Sequence, residues 1–275
     1  MTDVAGESGF GAATAVSRAG VGSARFEGQI AEGWDILGAA NGGYLLSMAA
    51  RALGEVTGRT PVSITGHFLA PGTPGAVHID TAMVKEGASF STAAANLIQG
   101  ERTLLAVLGT FGSADTGGEV LLQRAQPPEM PPPDTIRPFE HDPVVGMPPP
   151  FASRVEMRLN PADSGFASAA PSGDPRIRAW FRLRDDEPID PYGLIVAADC
   201  LPPTTFNAGL PIAWTPTLEL TVHIRAVPAP GWLRLDVATR FISHGRLEVD
   251  GVIWDAAGSL VAQSRQLALV PQVPA

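Results

Sequence analysis

Between Thr217 and Gln266, apolar and polar side chains alternate with a period of two, in runs such as TLELTVHIR and SLVAQSRQ that are interrupted at PAPG and DAAG. Such alternation, bounded by turn-forming residues, predicts an antiparallel meander. The same pattern occupies Pro61 to Gly112, as VSITGHFL, AVHIDTAMVKE, FSTAAANLIQ and TLLAVLGTFG, separated by APGTPG, EGAS and QGER. The two stretches superpose without a gap at a constant offset of 156 residues: Thr65 meets Thr221, His67 meets His223, Pro74-Gly75 meets Pro230-Gly231, and Asp80 meets Asp236. A repeat this long is a duplicated small domain rather than one unit of a solenoid.

A helical pattern precedes each sheet pattern. Tyr44, Leu45, Met48, Ala49 and Leu53 recur at helical spacing behind Asn41, a good N-cap, and the helix is expected to run to Gly54. Gly42 and Gly43 in its first turn permit close approach of another backbone or of a ligand. In the second half, Asp190 followed by Pro191 marks a helix start, and the helix should stop before Pro202-Pro203 with Asp199 near its end. Residues 22–37 predict two short strands with Gly28 and Gly33 as turn markers, while FASRVEMRL and RAWFRLRD supply further strands. The stretch QPPEMPPPDTIRPFEHDPVVGMPPP is dense in proline and cannot continue a central strand. The expected organisation is therefore a tail over residues 1–24, a first domain over 25–115, a proline-rich linker over 116–150 and a second domain over 151–275.

Composition narrows the function classes. Apolar residues make up 45% and charged residues 17%, with a net charge of −9, so phosphate-backbone binding to nucleic acid is not expected. Cys200 is the single cysteine, which removes any intrachain disulfide and any support for an oxidising compartment. The opening MTDVAGESGFGAATAVSRAG has no basic segment followed by an apolar core, and no window approaches a membrane span, so a cytoplasmic protein is expected.

Duplicated halves that share packing should differ where one half does chemistry. At the offset of 156, Asp199 aligns with Gly43, Thr217 with Pro61 and Gln266 with Thr110. A carboxylate, a hydroxyl and a carboxamide can together hold and polarise one water molecule. The same residues also suit structural duties: Asp199 as the cap of a turn near Pro202, Thr217 as the start of a strand, Gln266 on an exposed strand face.

The phrases NGGYLLSMAARAL, ITGHFLAPGTPG and EGASFSTAAANLIQ, followed by VAADCLPP, PTLELTVHIR, PGWLRLD and WDAAGSLVAQSRQ, resemble the bacterial acyl-CoA thioesterase II (TesB-like) family. The resemblance covers most of residues 25–112 and 175–270. It implies an α+β double hotdog, each domain a helix wrapped by a curved antiparallel sheet, that hydrolyses acyl-CoA without metal or organic cofactor. It further implies Asp199 as general base, Thr217 and Gln266 as water-positioning residues, and Asn41, Gly42 and Gly43 at the substrate, with helix-terminal amides facing the oxyanion. Assembly into a homodimer or larger homo-oligomer is implied as well. His67 and His223 are expected to be structural, the five tryptophans to serve core or interface, and Arg225, Arg246 and Arg265 are candidates for the CoA phosphates. The alternative is a double hotdog that binds acyl-CoA or an acyl carrier without hydrolysing it. A hotdog dehydratase or hydratase pairs Asp or Asn with His at the helix, and no such pair stands at the first helix here.

Overall fold

The computed structural model describes residues 9–112, 120–140, 147–184 and 187–273. The first half comprises α1 (Phe10–Ala13), β1 (Val16–Arg18), β2 (Arg25–Ile30), a hairpin of β3 (Asp35–Ile36) and β4 (Ala39–Ala40), α2 (Gly42–Thr57), β5 (Thr60–Phe68), β6 (Gly75–Lys85), β7 (Ser91–Gln99) and β8 (Arg102–Gly112). The second half comprises β9 (Val155–Leu159), β10 (Arg176–Leu183), α3 (Pro191–Ala197), β11 (Thr217–Ile224), β12 (Leu233–Ala238), β13 (Ile242–Ser243), β14 (Arg246–Trp254) and β15 (Leu260–Leu269). One sheet runs in the order β1-β2-β6-β7-β8-β5-β11-β15-β14-β12-β10-β9. That order is the same from either end once each strand is exchanged for its duplicate, and β5 meets β11 at the centre. Each half lays one helix against its part of the sheet, which is the double hotdog.

The duplication axis passes between equivalent threonines. Thr221 faces Thr65 in the antiparallel seam, and their hydroxyl oxygens are 2.9 Å apart. The constant offset nevertheless fails in two places. Thr65 faces Leu108 whereas Thr221 faces Arg265, so β15 is displaced by one residue relative to β8 and Gln266 occupies the place of Gly109 rather than Thr110. The cause is the turn between β14 and β15, where Asp255 to Ser259 are held by a 2.8 Å bond from the Ser259 N–H to the Asp255 carboxylate. Four residues separate Ile98 from its cross-strand partner Thr103, and five separate the equivalent Trp254 from Leu260, one residue more. The helices depart further. Their N-caps, Asn41 and Asp190, are 149 residues apart, so Asp199 does not take the place of Gly43. It touches Gly43 instead, because α2 and α3 pack antiparallel.

Helix α2 extends past the expected end at Gly54 and stops at Gly58, whose left-handed backbone (φ 63°) turns its N–H to the Gly54 carbonyl. Gly54 lies within the helix, and its lack of a side chain is explained by Tyr192 of α3: a Cβ would lie 2.1 Å from the Tyr192 hydroxyl. Tyr44, Leu45, Leu46, Met48, Ala49 and Leu53 are all buried, since α2 packs on the sheet with one face and on α3 with another. Helix α3 is capped by Asp190, whose Oδ1 accepts the Gly193 N–H at 2.7 Å, and runs for only seven residues. Gly28 lies inside β2 rather than in a turn, where a Cβ would come within 3.0 Å of the Met48 methyl.

Residues 10–18, expected as part of a tail, are built into the fold. Phe10 is buried against Trp34, which stacks on Tyr44, and the Tyr44 hydroxyl donates to the Ala13 carbonyl. This segment closes the end of the helix pair where the α3 cap meets the second half of α2. There Arg51 donates to Asp190 at 3.1 Å and to the Thr14 hydroxyl at 2.7 Å, and lies over the rings of Phe10 and Tyr192. The described part of the linker has no strand, and it is fastened through the Trp180 indole to the Pro131 carbonyl and the Phe139 N–H to the Met157 carbonyl. Residues 1–8, 116–119 and 141–146 of the expected tail and linker lie outside the described residues. Among the described residues no helix is long and apolar enough to cross a membrane.

Arg51→Met keeps most of the stem but removes both hydrogen bonds and both cation–ring contacts. The fold should lose about 2 kcal/mol, read as a lowered urea midpoint with an unchanged slope.

Candidate active site

The other end of the helix pair is open. Here the Gly43 N–H donates to Asp199 Oδ2 at 2.7 Å, and the Asn41 side-chain amide donates to the same oxygen at 3.3 Å and to the Asp199 carbonyl at 2.9 Å. Asn41 Oδ1 meanwhile accepts the Tyr44 N–H at 2.9 Å, so one side chain caps α2 and grips Asp199 just past the C-cap of α3. Glycine is required on both sides of the contact. A Cβ on Gly43 would come within 2.8 Å of the Ile195 carbonyl, and one on Gly42 within 2.9 Å of both Asp199 Oδ2 and the Phe68 ring.

Asp199 lines a cavity of about 930 Å³ together with Asn41, Gly42, Thr217 and Gln266. Gly43 does not line it; it is buried behind the carboxylate that it holds. The Gln266 side-chain amide donates to the Thr217 hydroxyl. Thr217 stands at the mouth of β11 where the register against β15 shifts, and Pro61 stands at a matching shift between β5 and β8. The bulge turns Thr217 and Gln266 together, and with its oxygen accepting from Gln266 the hydroxyl keeps its proton for another acceptor.

The cavity wall is apolar. Phe68, Phe151, Met157, Phe206, Leu218 and Val249 contribute to it, and Asp199 is its one charged residue among the described ones. Burial in this surrounding pushes the Asp199 carboxyl up to about 6, against the bonds from Gly43 and Asn41, which favour the charged form. The adjacent Cys200 thiol donates to the Ala197 carbonyl at 3.3 Å, and burial raises its pKa well above the usual thiol value, so it is not a ready nucleophile. Arg225, Arg246 and Arg265 do not line the cavity; Arg265 pairs with Asp250 and Arg225 with Gln263. His67 and His223 are exposed in β5 and β11. Phe139 and Met147 of the proline-rich segment, and Phe151 immediately after it, also line the cavity and were not among the expected site residues. The aromatic residues set among prolines were the available signal. Among the described residues no group of three or more His, Cys, Asp or Glu is placed to hold a metal ion.

The fold is a double hotdog with an asymmetric polar cluster in an apolar cavity, and comparison with known proteins gives the family. Residues 30–112 match the acyl-CoA thioesterase N-terminal domain and residues 124–270 match the acyl-CoA thioesterase C-terminal domain. The chain belongs to the acyl-CoA thioesterase family. An uncharacterized protein of Mycobacterium tuberculosis is 30% identical over 274 residues, covering 90% of this chain and 91% of its own. The crystal structure of a "putative thioesterase II" from Thermobifida fusca superposes with a TM-score of 0.86 at 32% identity, over 96% of this chain and 97% of that one. A protein of unknown function from Alicyclobacillus acidocaldarius with a hot dog fold shares the architecture at a TM-score of 0.84 and 23% identity, over 97% and 98% of the two chains.

The Asp199 shift has a consequence for stability. Its folded value of about 6 exceeds the ordinary 3.8, so between these values the folded chain binds more protons than the unfolded chain and stability falls as pH rises. Asp199→Asn removes the buried charge. The variant should therefore gain in melting temperature relative to the native chain at pH 8, and gain less or nothing at pH 5.

Proposed function

We propose that the chain hydrolyses an acyl-CoA thioester to the free carboxylic acid and CoA, with Asp199 as general base. The observation that carries this reading is a carboxylate held at the amide end of α2 in an apolar cavity that the hydrogen-bonded pair Thr217 and Gln266 also lines. A water placed among the three gives its proton to Asp199 as its oxygen bonds to the thioester carbonyl carbon. Thr217 and Gln266 fix the orientation of that water.

The carbonyl oxygen becomes negative as the bond forms. The first amides of α2 have no partner within the helix, and those of Gly43 and Tyr44 are taken by Asp199 and Asn41. The Gly42 N–H remains, at the cavity wall and at the positive end of the helix, as the donor for the oxyanion. Collapse of the tetrahedral intermediate breaks the carbon–sulfur bond, and the departing thiolate takes the proton from Asp199. The acyl group lies in the apolar cavity, and no step requires a covalent acyl-enzyme.

Thiol release from a panel of acyl-CoAs tests the reading. The native chain should turn over, and Asp199→Asn should lose about 10²–10⁴ in rate while still binding substrate. Binding by the native chain with no thiol released from any member would indicate an acyl-CoA or acyl-carrier binding protein instead. Activity should also depend on the ionised carboxylate: log kcat/KM, which reports the free enzyme, should climb with pH below about 6 and level off above it. A rate independent of pH through that region would remove Asp199 from the role of base.

A further inference from the structure

The cavity follows a traceable course beneath the second half of the sheet. It is lined by Gln266 and Ala268 on β15, then Leu247 and Val249 on β14, then Val237 on β12. In the sheet order β12 is two strands beyond β15, so the cavity extends about 10 Å from the strand of Gln266. On the next strand, β10, Ile177 and Ala179 are wholly buried and do not line it. Two phenylalanines close this end. Phe166 and Phe206 both line the cavity, are 6% and 7% exposed, and stand with ring centroids 5.6 Å apart. They pack with Leu159, Ile177, Ala179 and Val237 in a small hydrophobic cluster separate from the main core.

This closure is held in place from several directions. Phe206 belongs to a 3-10 turn, Thr204–Phe206, and Phe166 to another, Gly165–Ser168. The buried Asn207, next to Phe206, fixes that turn to the segment leading into the Phe166 turn and to β10, since its amide donates to the Asp163 carbonyl at 2.8 Å and to the Arg176 carbonyl at 2.9 Å. Asp163 is in turn clamped by the Arg178 backbone and guanidinium, at 2.9, 2.7 and 2.8 Å. On the other side the Thr204 and Thr239 hydroxyls are 2.7 Å apart, and Thr239 donates to the Glu248 carbonyl. A pair of rings fixed by a buried polar network is a wall that a ligand does not easily push aside.

We propose that Phe166 and Phe206 form the floor of the acyl chamber and set the longest acyl group that this chain accepts in full. The proposal rests on the hydrolase reading for the identity of the ligand. Each methylene buried between Gln266 and the floor should tighten binding about fourfold, and carbons beyond the floor should add nothing or cost affinity.

The test uses straight-chain acyl-CoAs in steps of two carbons, with binding measured by calorimetry on the Asp199→Asn protein and kcat/KM measured on the active one. Native protein should show a rise with chain length and then a break. Phe206→Ala and Phe166→Ala should move that break to longer chains, raising the ratio of the next longer substrate to the preferred one at least tenfold. Val249→Phe, on β14 where the cavity meets the cluster of the floor, fills the chamber from a strand rather than from either turn; it should move the break the other way and guards against failure of the floor variants to fold. A break that stays in place, with all chain lengths scaled alike, would overturn the floor assignment while leaving the hydrolase intact. Binding and turnover absent for every acyl-CoA would overturn the functional reading itself, and the floor with it.

Discussion

The close crossing of α2 and α3 at Gly43 is the constraint on which the rest of the molecule depends. A Cβ there would overlap the Ile195 carbonyl at 2.8 Å, so only glycine allows the two helices to approach this far. The approach is what brings the Asp199 carboxylate within 2.7 Å of an unpaired N–H in the first turn of a 16-residue helix. Two effects then oppose each other. The helix end and its hydrogen bonds favour the carboxylate, and a helix terminus contributes about 0.3–1 kcal/mol, reaching ~2 in partly buried geometry. Removing a carboxylate from water disfavours it by as much as about 3–5 pK units when burial is complete. Desolvation is the larger, and the carboxyl rises to about 6.

The same pair of helices has a second end, and the fold treats it in the opposite way. Counting from the N-caps, the residue of α2 that corresponds to Asp199 is Ala50, and next to it Arg51 reaches Asp190, Thr14, Phe10 and Tyr192. The cap of α3 is thus paired with a cation, where the cap of α2 lines a cavity and grips a buried carboxylate. The sheet repeats the contrast. Phe111 and Gly109 of β8 correspond to Ala268 and Gln266 of β15, and a Cβ on Gly109 would already strike Phe111 and Ile64. Exchanging a phenylalanine for an alanine and a glycine for a glutamine empties space and turns a polar group into it. The sixteen-residue α2 shields its sheet, while seven-residue α3 leaves Val237, Leu247 and Val249 facing open space. Such a void forgoes dispersion and burial that the first half retains, which accounts for a structure in which one half supplies packing and the other room.

Much of this architecture was legible in the residues. Period-two alternation located β5–β8 to within two residues and the starts of β11 and β15, whereas the stretch between PAPG and DAAG read as one run although it holds β12, β13 and β14; Asn41, Asp190 and Pro191 marked both helix starts, because strand burial and helix capping are local properties. What a gapless comparison missed are the two places where the duplicates differ in length. The extra residue in the turn after Trp254 moves Gln266 opposite Leu220, and the helix caps differ in spacing from the strands, so Asp199 was matched to the residue it touches instead of its equivalent. The pairing of Gly43 with Asp199 was thus informative for a reason other than the one that suggested it: both lie where the antiparallel helices cross. Residues 10–18 escaped because a single buried Phe10 and a threonine that binds an arginine on another element carry no periodic signal. The cavity escaped for a similar reason, since Phe139, Phe166 and Phe206 belong to loops whose packing is decided entirely by tertiary context.

For the proposed hydrolysis, the upward shift of Asp199 matters more than its position alone. A carboxyl near its ordinary value is fully ionised at neutral pH but accepts a proton from water weakly, and one shifted far above neutrality is seldom ionised. At about 6 the group is still about nine-tenths ionised at pH 7 and is a stronger base by roughly two units of pK. Apolar walls alone would carry the shift further, and the amides of Gly43 and Asn41 hold it back. The N-cap of α2, the glycine crossing and the apolar chamber therefore act on one proton affinity, and a change in any of them alters the chemistry without touching the substrate.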